Sequence, residues 1–292
     1  MSTLAVMSMI SGFGLGSMYG LLALGFSLTY TVSNTVNFAQ GSAMMLGAVL
    51  CYTFAVTLQW NILSSIGLTL LICAVWGLTV QRLTVRPFVR RGSSAWLMAT
   101  LALGIVLENA VLFTFGKEPR SLPSSLAAHP LSIAGLGVYP LQIVIPVVGF
   151  LVALTLHLVF RYTLRGKAWR AVVQNPDAAQ LMGINVTGTI AAAYAVSTIF
   201  AGGAGMLIAP LFNVSSDMGT LFGLKAFAVA ILGGLTSAWG VMLAGCSYGI
   251  LEALITALFG SPYTHVVTFT LVIIALACMP HGLFGRAGVK KV

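Results

Sequence analysis

The sequence predicts an all-α integral membrane protein, a polytopic helical bundle of about eight or nine apolar segments, some short or broken. Three observations carry that reading. The chain is 59% hydrophobic and only 7% charged, with a mean hydropathy of +1.01. A soluble domain carries roughly a quarter charged residues, so this chain could not cover its own surface in water. Its apolar residues also lie in long unbroken runs, not in the alternation of a membrane β-barrel. Finally, a bilayer core of roughly 30 Å takes about 20 apolar residues per helix, and 292 residues leave room for several such spans in a single transmembrane domain, 1–292.

The apolar segments read as 4–30, 39–58, 60–80, 95–115, 140–160, 188–209, 218–234, 236–259 and 264–280. The first has no basic region before it, so it is expected to serve as its own insertion signal and not as a cleaved leader. The second follows a polar cluster, Asn34, Asn37 and Gln40. The third begins with almost no loop. The stretch 81–94 then carries Arg82, Arg86, Arg90 and Arg91, the stretch 161–187 carries Arg161, Arg165, Lys167 and Arg170, and the tail carries Arg286, Lys290 and Lys291. These eleven of the fourteen basic residues mark cytoplasmic segments by the positive-inside rule, so 81–94, 161–187 and the C-terminus are expected inside. Loop 116–139, with only Lys117 and Arg120, then faces outward. The chain is expected to cross its membrane many times. This topology accounts for the net charge of +9 without nucleic acid.

Two segments are interrupted. "NFAQGSAMMLGA" (37–48) opens with polar residues, and "GLKAFAVAILGGLTSAWG" (223–240) holds Lys225 and the pair Gly233-Gly234. Broken helices at membrane depth mark a transport pathway when they line a cavity. Close packing through glycine accounts for them equally well. An ionisable group inside a span costs about 2.5–3.5 kcal/mol or more, so Glu108, Lys225 and Glu252 each need a reason. Each lines a polar path for a solute or bonds a neighbouring helix. Asn34, Asn37 and Gln40 carry the same two readings, path or turn and cap.

Enzyme chemistry finds no footing. There is no HExxH, and Asp177 and Asp217 both lie in polar breaks. His129, His157, His265 and His281 are scattered without a spaced partner, so neither catalytic residues nor a metal site are expected. The cysteines at 51, 73, 246 and 278 lie in apolar runs without CxxC spacing and read as small buried hydrophobes. Arg165-Gly166-Lys167-Ala168 lacks the leading glycine and the Ser/Thr of a phosphate loop. This chain binds no cofactor on this reading; if transport runs on ATP, another subunit holds the ATP and Mg2+.

One polar passage stands apart, "RGKAWRAVVQNPDAAQLMGIN" (165–185). Asn175 is a good N-cap, Pro176 suits the first helical position and Asp177 complements the positive helix end. Gly183 is placed to close the C-terminus. The spacing predicts a helix of about two turns, with Ala178, Leu181 and Met182 on one face. So short a helix is not stable alone in water. It either docks on a cytoplasmic partner or packs against its own membrane domain.

The passage resembles the permeases of branched-chain amino-acid ABC importers, whose cytoplasmic loop carries a pattern like R-A-x-x-Q-N-P-x-x-A-x-L-M-G-I-N. Here that pattern stands as Arg170-Ala171, Gln174-Asn175-Pro176, Ala179 and Leu181-Met182-Gly183-Ile184-Asn185. "GLGSMYGLLALGFSLTYTVSNTVNFAQG", "LKAFAVAILGGLTSAWG", Glu252 and the ending "PHGLFG" (280–285) agree with it, and the chain looks most like the first of the two permease types that pair. Gln40 stands where the family commonly has histidine, and Met279 where arginine often precedes the ending. The resemblance implies an importer of five parts: a heterodimer with a second permease, two ATP-binding subunits, and a periplasmic or extracellular solute-binding protein. It implies that 175–183 is the coupling helix. Family members also carry urea, amides and carboxylates, so the solute stays open. The alternative is a stand-alone secondary transporter or channel using Glu108 or Glu252.

Overall fold

The computed structural model describes residues 2–89, 92–128, 130–133, 136–278 and Gly282. Arg90, Arg91, His129, Met279, His281, the basic tail and all of the "PHGLFG" ending except Gly282 lie outside the described residues, as does the side chain of Cys278.

Helix α1 (Ser2–Ser33) is followed by α2 (Gln40–Tyr52), which runs on through a π-turn to Thr57. After a break at Gln59, which has a positive φ of 53°, Asn61 caps α3 (Ile62–Val80) by accepting the Leu63 N–H. The expected loop 81–94 is helical in its first part. A π-turn over Gln81–Val85 carries α3 directly into α4 (Arg86–Val89). The widened turn falls just before Pro87, which lacks an N–H, and absorbs a residue that would otherwise break the helix. Arg82 and Arg86 therefore sit on a helix.

Then come α5 (Trp96–Phe115), α6 (Ser125–Ala128) and a small hairpin of β1 (Leu131–Ile133) and β2 (Leu136–Val138) pairing Leu131 with Val138. Helix α7 (Pro140–Tyr162) leads into α8 (Leu164–Gln174) and α9 (Pro176–Leu181). The last four are α10 (Val186–Ile208), α11 (Met218–Gly233), α12 (Ala238–Phe259) and α13 (Ser261–Cys278). Among the described residues, seven helices are long and apolar enough to cross a membrane, while α11 and the stretch Ser261–Ala275 are shorter. The class is the one the composition predicts.

The packing reveals two halves that sequence similarity is too weak to declare. α1 packs along α12 as α10 packs along α3; α2 lies along α10 as α11 lies along α1; α5 rests on α2 as α13 rests on α11. Helices α1 and α10 run in opposite directions, since Leu21 lines a cavity with Met206 and Leu207, Gly25 meets Ser197, and Thr35, just past the end of α1, meets Tyr194. The halves are thus inverted with respect to each other, and α2 and α11 hold equivalent places. Each half lends its first helix to the other.

The largest of these contacts rests on glycine. Gly12, Gly16 and Gly20 of α1 face Gly245 and Gly249 of α12, and a Cβ on Gly16 would run into the Gly245 carbonyl. Lipid tails are as apolar as leucine, so helix association in a membrane depends on such close van der Waals approach. Gly249→Leu is expected to force α1 and α12 apart, an overpacking cost of about 1–3 kcal/mol or more. Gly67→Leu, at a position with nothing within 4 Å of a Cβ, serves as control. Thermal unfolding in detergent checks this; equal midpoints for the two variants would reject the glycine contact as a determinant.

The three cysteines whose side chains are described, Cys51, Cys73 and Cys246, are buried and free.

Candidate functional site

The polar passage forms two helices where the sequence predicts one. The Thr163 hydroxyl accepts the Gly166 N–H at 3.0 Å, and Gly166 presses on the backbone of Val159 and Phe160. Together they fold α8 back onto the end of α7. Trp169 seals the joint, its ring 5.1 Å from that of Phe160. Asn175 then serves both helices. Its N–H donates to the Ala171 carbonyl at 3.1 Å, ending α8, and its Oδ1 accepts the Ala178 N–H at 3.0 Å, starting α9.

Gly183, with φ +82°, closes α9 in the left-handed conformation that favours glycine. Its N–H donates to the Gln180 carbonyl and that of Ile184 to the Ala179 carbonyl, each at 3.0 Å. The caps lie where the sequence puts them, and α9 is six residues long, close to the two turns predicted. The N-terminal part of the passage, Leu164–Gln174, has a helix of its own because Gly166, Trp169 and Val172 give it a buried face.

Ala179 is buried and anchors α9, while Ala178, Leu181 and Met182 face outward, the last two 89% and 83% exposed. Arg170, Gln174, Pro176 and Asp177 are exposed as well. A groove of about 600 Å³ separates α9 from the π-turn and α4, lined by Pro176, Asp177 and Gln180 on one wall and Gln81, Val85 and Arg86 on the other. The two basic stretches thus meet in space.

The intramembrane candidates fall into three groups. Asn34, at φ 52°, is exposed and closes α1, its N–H donating to Tyr30 at 2.8 Å. Asn37 and Gln40 are both fully buried. Gln40 Nε2 donates to the Ser197 carbonyl at 2.8 Å, and its Oε1 lies 2.9 Å from the Ser197 hydroxyl and 3.3 Å from Asn37 Nδ2. That hydroxyl is also 2.9 Å from the Gly25 carbonyl, and its single proton serves one acceptor at a time. A Cβ on Gly25 would occupy the place of the Gln40 amide. This knot ties α1, α2 and α10 together.

Lys225 and Glu252, predicted separately, are each other's partner. Lys225 Nζ lies 2.5 Å from Glu252 Oε1 and 3.3 Å from the Tyr19 hydroxyl, and Lys225 is 3% exposed. The pair links α11 to α12 beside α1.

Glu108 is half-buried where α5, α2 and α11 meet. The Thr220 hydroxyl is 2.9 and 2.8 Å from its two oxygens, and the Ser42 hydroxyl 3.3 Å from Oε1. Ser42 is the third residue of α2 and Thr220 the third of α11, and each follows a glycine, Gly41 or Gly219. Those glycines let the two helix starts touch, since a Cβ on either would strike the other's backbone. A cavity of about 270 Å³ opens here, lined by Phe26, Phe38, Leu101, Ile105, Leu224 and Phe227 beside Glu108. Sequence reading missed Ser42, Thr220 and Ser197. The signal for the first two was a Gly-Ser and a Gly-Thr near the starts of the apolar segments 39–58 and 218–234; Ser197, in the middle of α10, has no such local mark.

Two inverted halves, with short helices that start inside the bundle beside a carboxylate and a cavity, have the architecture of a membrane transport subunit, which passes a solute and leaves it unchanged. A family model described as branched-chain amino acid transport system / permease component matches residues 8–276. The chain belongs to this family.

It is 32% identical to the high-affinity branched-chain amino acid transport system permease protein LivH of Escherichia coli (strain K12), over 97% of this chain and 96% of that one. It is 31% identical to the corresponding protein BraD of Pseudomonas aeruginosa, over 97% of each. Identity is also 31% to a probable branched-chain amino acid transport permease protein LivH of Methanocaldococcus jannaschii, over 91% of this chain and 88% of the relative.

Proposed function

We propose that this chain is one of two permease subunits of an ATP-driven importer that brings a branched-chain amino acid or a similar small solute into the cell. Two ATP-binding subunits, which hold the ATP and Mg2+, seat α9 and its closing turn in a groove on their membrane-facing side. A solute-binding protein delivers cargo from outside, and a sister permease completes the pathway. Segments 81–94 and 161–187 and the C-terminus face the cytoplasm.

The observation that carries this reading is the doubly capped α9. It holds Leu181 and Met182, 89% and 83% exposed, at the polar end of the bundle where Arg82, Arg86, Arg161, Arg165, Lys167 and Arg170 gather. Two large apolar side chains on a rigid, otherwise polar projection are the kind of feature a protein partner covers. The names of the relatives support the cargo class. Glu252, one of the two groups on which a stand-alone ion-coupled carrier would rely, is neutralised by Lys225.

A Met182→Cys variant in the reconstituted importer tests the assignment. A short heterobifunctional reagent, thiol-reactive at one end and amine-reactive at the other, is expected to crosslink position 182 to the ATP-binding subunit, with the yield changing when ATP is added. Crosslinking confined to this chain or to the solute-binding protein would reject it.

A further inference from the structure

We propose that the cavity at Glu108 is a binding station for the solute inside the membrane, with Glu108 receiving the ammonium group of a zwitterionic amino acid. The proposal rests on the permease reading above and names the chemistry of the site.

Glu108 is a carboxylate within a span, and among the described residues no basic side chain pairs with it. Its neighbours there are two hydroxyls, Ser42 and Thr220. A carboxylate has about four lone-pair sites, so two hydroxyl protons leave room for a charged donor. Three phenyl rings, of Phe26, Phe38 and Phe227, line the same space, and the face of such a ring attracts a cation. The remaining wall is Leu101, Ile105 and Leu224, which matches a branched aliphatic side chain.

The two helix starts complete the fit. At α2 the Asn37 side chain takes the Ala39 N–H and the Asn37 carbonyl the Gln40 N–H, which leaves those of Gly41 and Ser42; no side chain caps α11, whose N-cap is the exposed Asp217. The first-turn N–H groups of a helix lack intrahelical partners and carry the positive end of its dipole. They suit the carboxylate end of the same zwitterion. Lys225 and Glu252, by contrast, satisfy each other, and the Gln40 knot is closed. Among the described residues, Glu108 is a half-buried carboxylate with no counter-ion.

The test uses the complete importer in proteoliposomes, with Cys51, Cys73, Cys246 and Cys278 replaced by alanine and Leu224→Cys as reporter on the cavity wall. An ethylammonium methanethiosulfonate is expected to modify the cysteine about tenfold or more faster than the ethylsulfonate reagent, as a fixed negative charge a few ångströms away requires. Glu108→Gln is expected to erase that preference and Glu108→Asp to keep most of it. Leucine is expected to slow modification, while 4-methylpentanoate, the same skeleton without the amino group, does not.

Equal rates for the two reagents, a preference that survives Glu108→Gln, equal protection by both compounds, or no modification at all would overturn the site. Ile105→Cys repeats the measurement if Leu224→Cys fails to assemble. ATP-driven leucine uptake by the unsubstituted importer is followed in parallel. Its absence defeats the branched-chain cargo on which the site rests; its presence without charge preference defeats the Glu108 site alone.

Discussion

Leu181→Glu is expected to abolish ATP-driven uptake while the chain still accumulates in the membrane at the wild-type level. The side chain is 89% exposed, so little within the subunit is lost, and exposed substitutions away from special features usually change stability by less than about 0.5 kcal/mol. The cost falls at the interface. An apolar anchor at the centre of a contact is worth about 2 kcal/mol or more, and a carboxylate buried there without a partner adds about 1–3 kcal/mol. A combined loss of roughly 4 kcal/mol corresponds to about a thousandfold in association. Co-purification of the ATP-binding subunits and ATPase activity stimulated by loaded solute-binding protein should both fall with uptake. Wild-type uptake by this variant would refute docking through α9.

Lys225→Met is expected to be the most damaging single change inside the bundle. It leaves Glu252 buried opposite a thioether, its second oxygen already without a hydrogen-bond partner among the described residues. Removing one member of a buried ion pair costs about 3–5 kcal/mol, whereas replacing both is often nearly neutral. Lys225→Met/Glu252→Gln should therefore recover most of the thermal midpoint that the single change loses. A single variant as stable as the wild type would mean that the pair does not hold α11 to α12.

The spans were legible because a membrane helix writes its length into an unbroken apolar run, as 140–160 and 236–259 do. The caps of α9 were legible because Asn175, Pro176 and Gly183 act on groups three or four residues away. Helix α8 was harder to see: its buried face is only Gly166, Trp169 and Val172, amid exposed basic residues that read as loop. The continuation of α3 to Val89 was hidden because Arg82, Arg86, Arg90 and Arg91 mark 81–94 as a polar break. What no local pattern contains is who meets whom. Glu108 and Thr220 are 112 residues apart, Gln40 and Ser197 157 apart. Such pairings become visible only once the inverted halves are seen.

The exchange of first helices between those halves also bears on how the chain is made. α1 is made well before α12, which begins at Ala238 and matches the glycine face that α1 presents. At about 5–20 residues per second, that partner arrives on the order of ten to forty seconds later. Until then the earliest helix waits in the bilayer with its docking surface open to lipid or to the insertion machinery. Neither half is then a unit of biogenesis, and a ribosome stalled before residue 238 releases a product in which the glycine face of α1 has no partner.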